Sequence, residues 1–123
     1  IYTTALPPHS VATILAVYKE LETGIPEIHQ LKNNIQIFKN EITKNGLQGD
    51  FIKSNSAIQS CIIPGNEKVK DVAASLRKEG FEVKPILSPT VAEDSERLRF
   101  CLHSFNSENE ISQVLKKLAK LKA

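Results

Sequence analysis

Apolar residues recur with two different periods along this chain, and the changes of period mark its elements. Between Pro8 and Glu22 or Thr23, the residues Val11, Ile14, Leu15, Tyr18 and Leu21 are spaced as on one side of a helix. Proline suits a first helical turn, whose N–H groups have no partner in any case, so this helix starts near Pro8. Ala12 and Ala16 add a second apolar face. Such a helix wants packing on several sides, which suits a segment lying between two domains better than the first helix of a small free-standing one. Thr23-Gly24-Ile25-Pro26 interrupts the pattern, and a second helix restarts at Pro26 with Glu27 in its first turn. Its stripe is Ile28, Leu31, Ile35, Phe38 and Ile42, and it ends at Gly46. Lys32, Asn33, Gln36, Lys39 and Asn40 make the opposite face polar, as on a surface helix with one buried stripe.

Beyond Leu47 the signals shorten. Residues 47–56 read as a connection with one short strand around Phe51 and Ile52. A strand from Ala57 to Ile63 is stopped by Pro64-Gly65, and a third helix follows with Asn66 as its cap. Val69, Val72, Ala73 and Leu76 form that helix's inner stripe, and Gly80 ends it. Strands are predicted over Phe81 to Leu87 and Leu98 to His103. Ser107 and Glu110 have capping-box spacing at the head of a last helix, which buries Ile111, Val114, Leu115, Leu118 and Leu121. Lys116, Lys117, Lys120 and Lys122 form its solvated outer face. The expected fold class is α+β: a small, mostly antiparallel three-stranded sheet with helices packed on one face, preceded by a long apolar linking helix.

With 123 residues, 41% of them hydrophobic, the chain has enough apolar material for one modest core. Sixteen basic residues against 14 acidic ones leave a net charge of +2, which does not mark a nucleic-acid binder. No apolar run is long enough to span a membrane, and a soluble, cytoplasmic protein is expected. Cys61 and Cys101 lie in strand-like apolar segments, where a free cysteine acts as a small buried hydrophobe, so neither a disulfide nor a metal site is expected. His9 and His29 sit on polar helical faces without ligand partners at metal spacing. His103 ends the third strand and reads as a structural histidine.

Candidate chemistry centres on residues 88–100, SPTVAEDSERLRF. A Ser88-Pro89-Thr90 corner leads through an acidic link into Arg97-Leu98-Arg99-Phe100, where alternation puts both arginines on one face and Leu98, Phe100 and Leu102 on the other. A guanidinium on a strand offers a fork of donors in a fixed direction, fitted to a carboxylate or phosphate. The competing reading pairs both arginines with Glu93, Asp94 or Glu96 on a solvated face, and residue physics alone favours it. Thr3 and Thr4, two hydroxyls ahead of a helix start, offer an anion contact, although such residues usually serve only as caps.

The phrases IYTTALPP, SNSAIQSCIIPGN, LRKEGFEVKPILSPTV and ERLRFCLHSFNSENEI, in that order and spacing, resemble the C-terminal part of the α-oxoamine synthases. That resemblance covers nearly the whole chain. It implies a fold-type I pyridoxal-phosphate enzyme, a homodimer with its site at the subunit interface, which condenses an amino acid with an acyl thioester and releases carbon dioxide and the thiol. Arg99 matches the position that grips the amino-acid carboxylate, and Thr90 a position lining the substrate site. Thr3 and Thr4 match the hydroxyl pair reaching the cofactor phosphate of the neighbouring subunit. TVAED stands where the family usually has a TVP-x-G turn, and SAIQS where SAIQP is commoner.

The family's cofactor-bearing lysine lies in a large domain upstream, and none of the lysines here sits in its motif. The resemblance therefore implies no catalytic residue within this chain, no pyridoxal phosphate bound to this piece alone, and an inactive fragment of a longer enzyme. Residues 1–24 would be an interdomain extended segment and linking helix, and residues 25–123 the C-terminal α+β domain. The reading from another class is a non-catalytic α+β binding or dimerisation module that keeps Arg97 and Arg99 as an anion contact. It requires no lysine-bearing domain.

Overall fold

The computed structural model describes residues 4–123. Its elements are α1 (Pro8–Glu22), α2 (Pro26–Lys44), β1 (Ile58–Ile62), α3 (Asn66–Lys78), β2 (Lys84–Ile86), β3 (Arg97–Cys101) and α4 (Glu108–Lys122). The strands form one antiparallel sheet in the order β1-β3-β2. β3 is central, with Arg99 opposite Ser60 on one side and Lys84 on the other. The α+β class and the three-stranded antiparallel sheet are as expected.

One face of the sheet is the core. Cys61, Leu98 and Phe100 point into it with Ile63 and Leu102 just beyond the strand ends, and α3 and α4 cover them with Val69, Leu76, Ile111, Leu115 and Leu118. α2 packs against α4 and sets Phe38 against both Phe51 and Phe100, with ring centroids 5.7 and 5.5 Å away. Such edge-on and tilted aromatic contacts add to the burial of three large side chains. The stretch around Phe51 runs antiparallel along the free side of β1, through Ile52 N–H to Ser60 O at 2.9 Å and Ile62 N–H to Asp50 O at 2.8 Å.

The strands are shorter than the sequence pattern suggests. Phe81 N–H still closes the end of α3 on Leu76 O at 2.9 Å, and Pro85 has no N–H, so pairing is confined to Lys84–Ile86. β3 stops at Cys101 because His103 N–H turns to Asn106 Oδ1 at 2.7 Å. Asn66 is not the cap of α3. Gly65 precedes the helix at φ 96°, no side chain caps it, and Asn66 turns its amide to Ser88.

The expected capping box of α4 is present: Glu110 N–H donates to Ser107 Oγ at 3.1 Å, and Ser107 N–H to the Glu110 carboxylate at 3.4 Å. Its lysine face is less solvated than expected. Lys122 lies over β1, donating to Ile62 O at 3.2 Å and pairing with Asp50 at 3.5 Å. Cys101, unlike Cys61, is exposed: β-alternation turns it to the open face, away from the core. No helix among the described residues is long and apolar enough to cross a membrane.

Candidate functional site

The second face of the sheet carries Ser60 and Ile62 from β1, Lys84 and Ile86 from β2, and Arg97, Arg99 and Cys101 from β3. The two arginines differ in what they do there. Arg97 donates its Nε–H to Ser95 O at 3.0 Å, a local bond that ties the guanidinium to the residues leading into β3. Arg99 Nε is buried and meets no hydrogen-bond partner among the described residues. An orphaned donor of this kind is costly unless something else fills it, so its presence on a strand is a feature to be explained.

The acidic neighbours do not fill it. Every ion pair among the described residues is made by a lysine, so the expected pairing of the arginines with Glu93, Asp94 or Glu96 is not found. Glu96 goes elsewhere: it is buried, and its carboxylate accepts Gly65 N–H at 2.9 Å. That bond, with help from backbone N–H groups of residues 96 and 94, holds its pKa below the usual 4.5 against the opposing effect of burial. Arg99 is also among the residues lining a cleft of about 730 Å³. Residues 81–84 and 100–103 line it together with Phe38.

Thr90 is exposed, on the loop between β2 and β3. The loop contains a cis Ser88–Pro89 bond and closes through Val91 N–H to Leu87 O at 3.2 Å and Ser95 N–H to Ala92 O at 3.0 Å. In the AED stretch, where the usual turn has proline and glycine, Asp94 takes φ 67°. Aspartate accepts this left-handed backbone more readily than most side chains. Thr90 and Arg99 thus belong to one hairpin. Thr4 is exposed on the segment leading to α1, and α1 packs against no other element. Thr3 lies outside the described residues.

Two buried amides that the sequence pattern did not single out shape the loops around the sheet. Asn34 donates to the carbonyls of His103, Ser104 and Asn106 at 2.9, 3.4 and 3.0 Å, and accepts from Gln30 at 3.1 Å. The loop it holds displays His103 stacked on the exposed Phe105, with ring centroids 4.7 Å apart. Gln59 donates to the carbonyls of Ser54 and Ser56 at 3.1 and 2.8 Å. Asn34 lies three residues after Leu31 and four before Phe38, on the apolar stripe of α2. A polar residue at such a position was the available signal. Burial pushes the Cys61 thiol up to about 11, which leaves it a packing residue rather than a nucleophile. No cluster of metal-ligand side chains occurs among the described residues.

The sheet thus has helices on one side and, on the other, the basic side chains of Lys84, Arg97 and Arg99. The chain belongs to the aminotransferase class I and II family, whose model matches residues 1–118. Among curated relatives, it is 35% identical over 118 residues to 8-amino-7-oxononanoate synthase of Erwinia tasmaniensis, covering 96% of this chain and 30% of that protein. It is 33% identical over 121 residues to the enzyme of the same name from Saccharophagus degradans, covering 98% and 30%.

The structure of 8-amino-7-oxononanoate synthase from Francisella tularensis superposes with a TM-score of 0.74 at 30% identity, over 98% of this chain and 34% of that one. A serine palmitoyltransferase from S. paucimobilis shares the fold, with a TM-score of 0.72 at 21% identity over 98% and 30%. The likeness to α-oxoamine synthases stated from the motifs is therefore found in both sequence and structure. The chain spans about 30% of the length of the curated relatives it matches.

Proposed function

We propose that this chain is the carboxylate-binding, C-terminal part of a pyridoxal-phosphate-dependent acyltransferase. The intact enzyme condenses L-alanine with pimeloyl-CoA, or a pimeloyl carrier protein, to give 8-amino-7-oxononanoate for biotin synthesis. The observation that carries the reading is Arg99: a strand-borne guanidinium with a buried, unpartnered Nε, on the uncovered face of the sheet. A carboxylate is the ligand whose two oxygens match the guanidinium's fork of donors. Holding the carboxylate fixes the orientation of the bond lost as carbon dioxide, a contribution of positioning rather than of acid or base chemistry. Thr90 lines the same site from the neighbouring loop.

Pyridoxal phosphate, when bound in the intact enzyme, supplies the electron sink that makes carbon–carbon chemistry at an amino-acid α-carbon accessible. The Thr4 hydroxyl fits a role toward the cofactor phosphate, being exposed and without a hydrogen bond among the described residues. Thr3 and Thr4 would reach that phosphate across the interface of a homodimer working in the cytoplasm. The cofactor-bearing lysine belongs to a large domain preceding residues 1–24, the linking segment, with residues 25–123 as the C-terminal domain. This piece by itself is inactive and holds no cofactor.

The test is to purify the full-length protein, record its visible absorbance with and without L-alanine, and measure thiol release from pimeloyl-CoA. A visible band perturbed by L-alanine, with amino-acid-dependent thiol release and an oxononanoate product by mass, supports the reading. Absence of both the band and the release overturns it.

A further inference from the structure

Two segments distant in sequence meet at the loop that carries Thr90. The turn at residues 63–66 holds that loop at both ends. At its start, Asn66 Oδ1 accepts Ser88 N–H at 3.0 Å while Asn66 Nδ2 donates to Ser88 O at 3.3 Å. At its finish, Ile63 N–H donates to Glu96 O at 2.9 Å and Gly65 N–H to the Glu96 carboxylate at 2.9 Å. The next residue is Arg97, where β3 begins.

The use of Asn66 is not accounted for by its own helix. Asparagine is among the best N-caps, yet the first turn of α3 has no side-chain cap, and Asn66 spends both polar atoms on a single residue of another loop. An amide that engages the N–H and the C=O of one residue fixes both its place and its rotation, as a paired strand would. The residue so fixed stands two positions before Thr90. An exposed loop without such ties samples many conformations, and ordering it on binding costs affinity.

We infer that Asn66 is a positioning residue for the amino-acid site, setting where Thr90 stands relative to Arg99 by anchoring the start of the loop whose end Glu96 anchors. The inference rests on the reading of Arg99 and Thr90 given above. Asn66 itself need not touch substrate.

The experiment uses the full-length holoenzyme and three variants, Asn66→Ala, Asn66→Asp and Arg99→Ala. L-Alanine affinity is read by titrating the cofactor absorbance, alongside KM for the acyl thioester and the thermal midpoint. Asn66→Ala is expected to weaken L-alanine binding about tenfold, with the thioester KM unchanged, because misplacing a contact residue acts on the ligand it contacts. Asn66→Asp keeps the acceptor for Ser88 N–H but sets an anionic oxygen against Ser88 O, so its affinity should fall between those of Asn66→Ala and the parent.

A lowered thermal midpoint with parental L-alanine affinity would make Asn66 purely structural and overturn the inference. So would an equal loss for both substrates. Where Asn66→Ala fails to fold, Asn66→Asp decides: parental affinity overturns the inference and weakened affinity supports it. Arg99→Ala separates the two levels. If it weakens L-alanine binding and neither Asn66 variant does, only the positioning role falls; if it has no effect, the site reading falls and takes the inference with it.

Discussion

At the scale of single residues, the site is a matter of which polar atoms are already spent. Arg97 is bonded to Ser95 O, Glu96 to Gly65 N–H, and Arg99 Nε to nothing among the described residues. On the function proposed above, Arg99→Ala in the full-length protein should raise KM for the amino acid about tenfold to a hundredfold, the range for losing a charged hydrogen-bonding group. Arg99→Lys should recover little of it, since an ammonium lacks the planar fork. Steady-state kinetics in L-alanine decides this, and an unchanged KM would remove Arg99 from the site. Glu96 gives a pH signature. Its folded-state pKa is lowered, so its contribution to stability is full above the ordinary value of 4.5 and is lost as pH falls through the lowered one. The gap in urea midpoint between the parent and Glu96→Gln should therefore be widest near neutrality and close below pH 4.5. A gap that stays constant down to pH 3, about one unit below the ordinary carboxylate range, would contradict it. That Arg97 and Arg99 share one face was legible because alternation on a strand shows in sequence, whereas the choice of Arg99 between them came only with the family resemblance. The spent state of Glu96 and Asn66 was not legible, because their partners are backbone groups 31 and 22 residues away.

At the scale of elements, helices were read to within a residue or two, and strands less well. Helix starts carry local chemistry: Pro8, Pro26 and the Ser107 and Glu110 pair all stand where the chain pattern put them. Strand ends depend on what the neighbouring chain offers. Residues 81–83 look like strand, but Phe81 N–H is taken by the end of α3, and these residues line the cleft instead of pairing with β3. Asn66 shows the same limit from the other side, since a residue of the right type for a cap was claimed by a distant loop. The cap that is present should be measurable. Ser107→Ala removes the acceptor for Glu110 N–H and should cost about 1 kcal/mol, the usual worth of a serine cap. Urea denaturation of the chain should show a lower midpoint with an unchanged slope. A midpoint equal to the parent's would mean that α4 is held by its buried stripe alone.

At the scale of the whole molecule, α1 stands apart from the core. Val11, Ile14, Leu15, Val17, Tyr18 and Leu21 are each between 42% and 64% exposed, and α1 packs against no other element. The sequence had marked this helix as too apolar for a free-standing role, and that property needs no tertiary information to see. Its consequence is physical: a contiguous apolar surface of this kind in water favours association, since each covered Å² of apolar area returns about 25 cal/mol. The 123-residue chain by itself should therefore associate with rising concentration, seen as increasing sedimentation coefficients. Leu15→Lys with Tyr18→Lys should suppress that association. Because no residue of α1 is buried in the fold, the same double variant should leave the urea midpoint of the core unchanged under dilute conditions. The two readouts separate the possibilities. Association lost with the midpoint kept assigns the stickiness to α1, whereas a midpoint that falls with the substitutions would mean that α1 contributes to the core in solution.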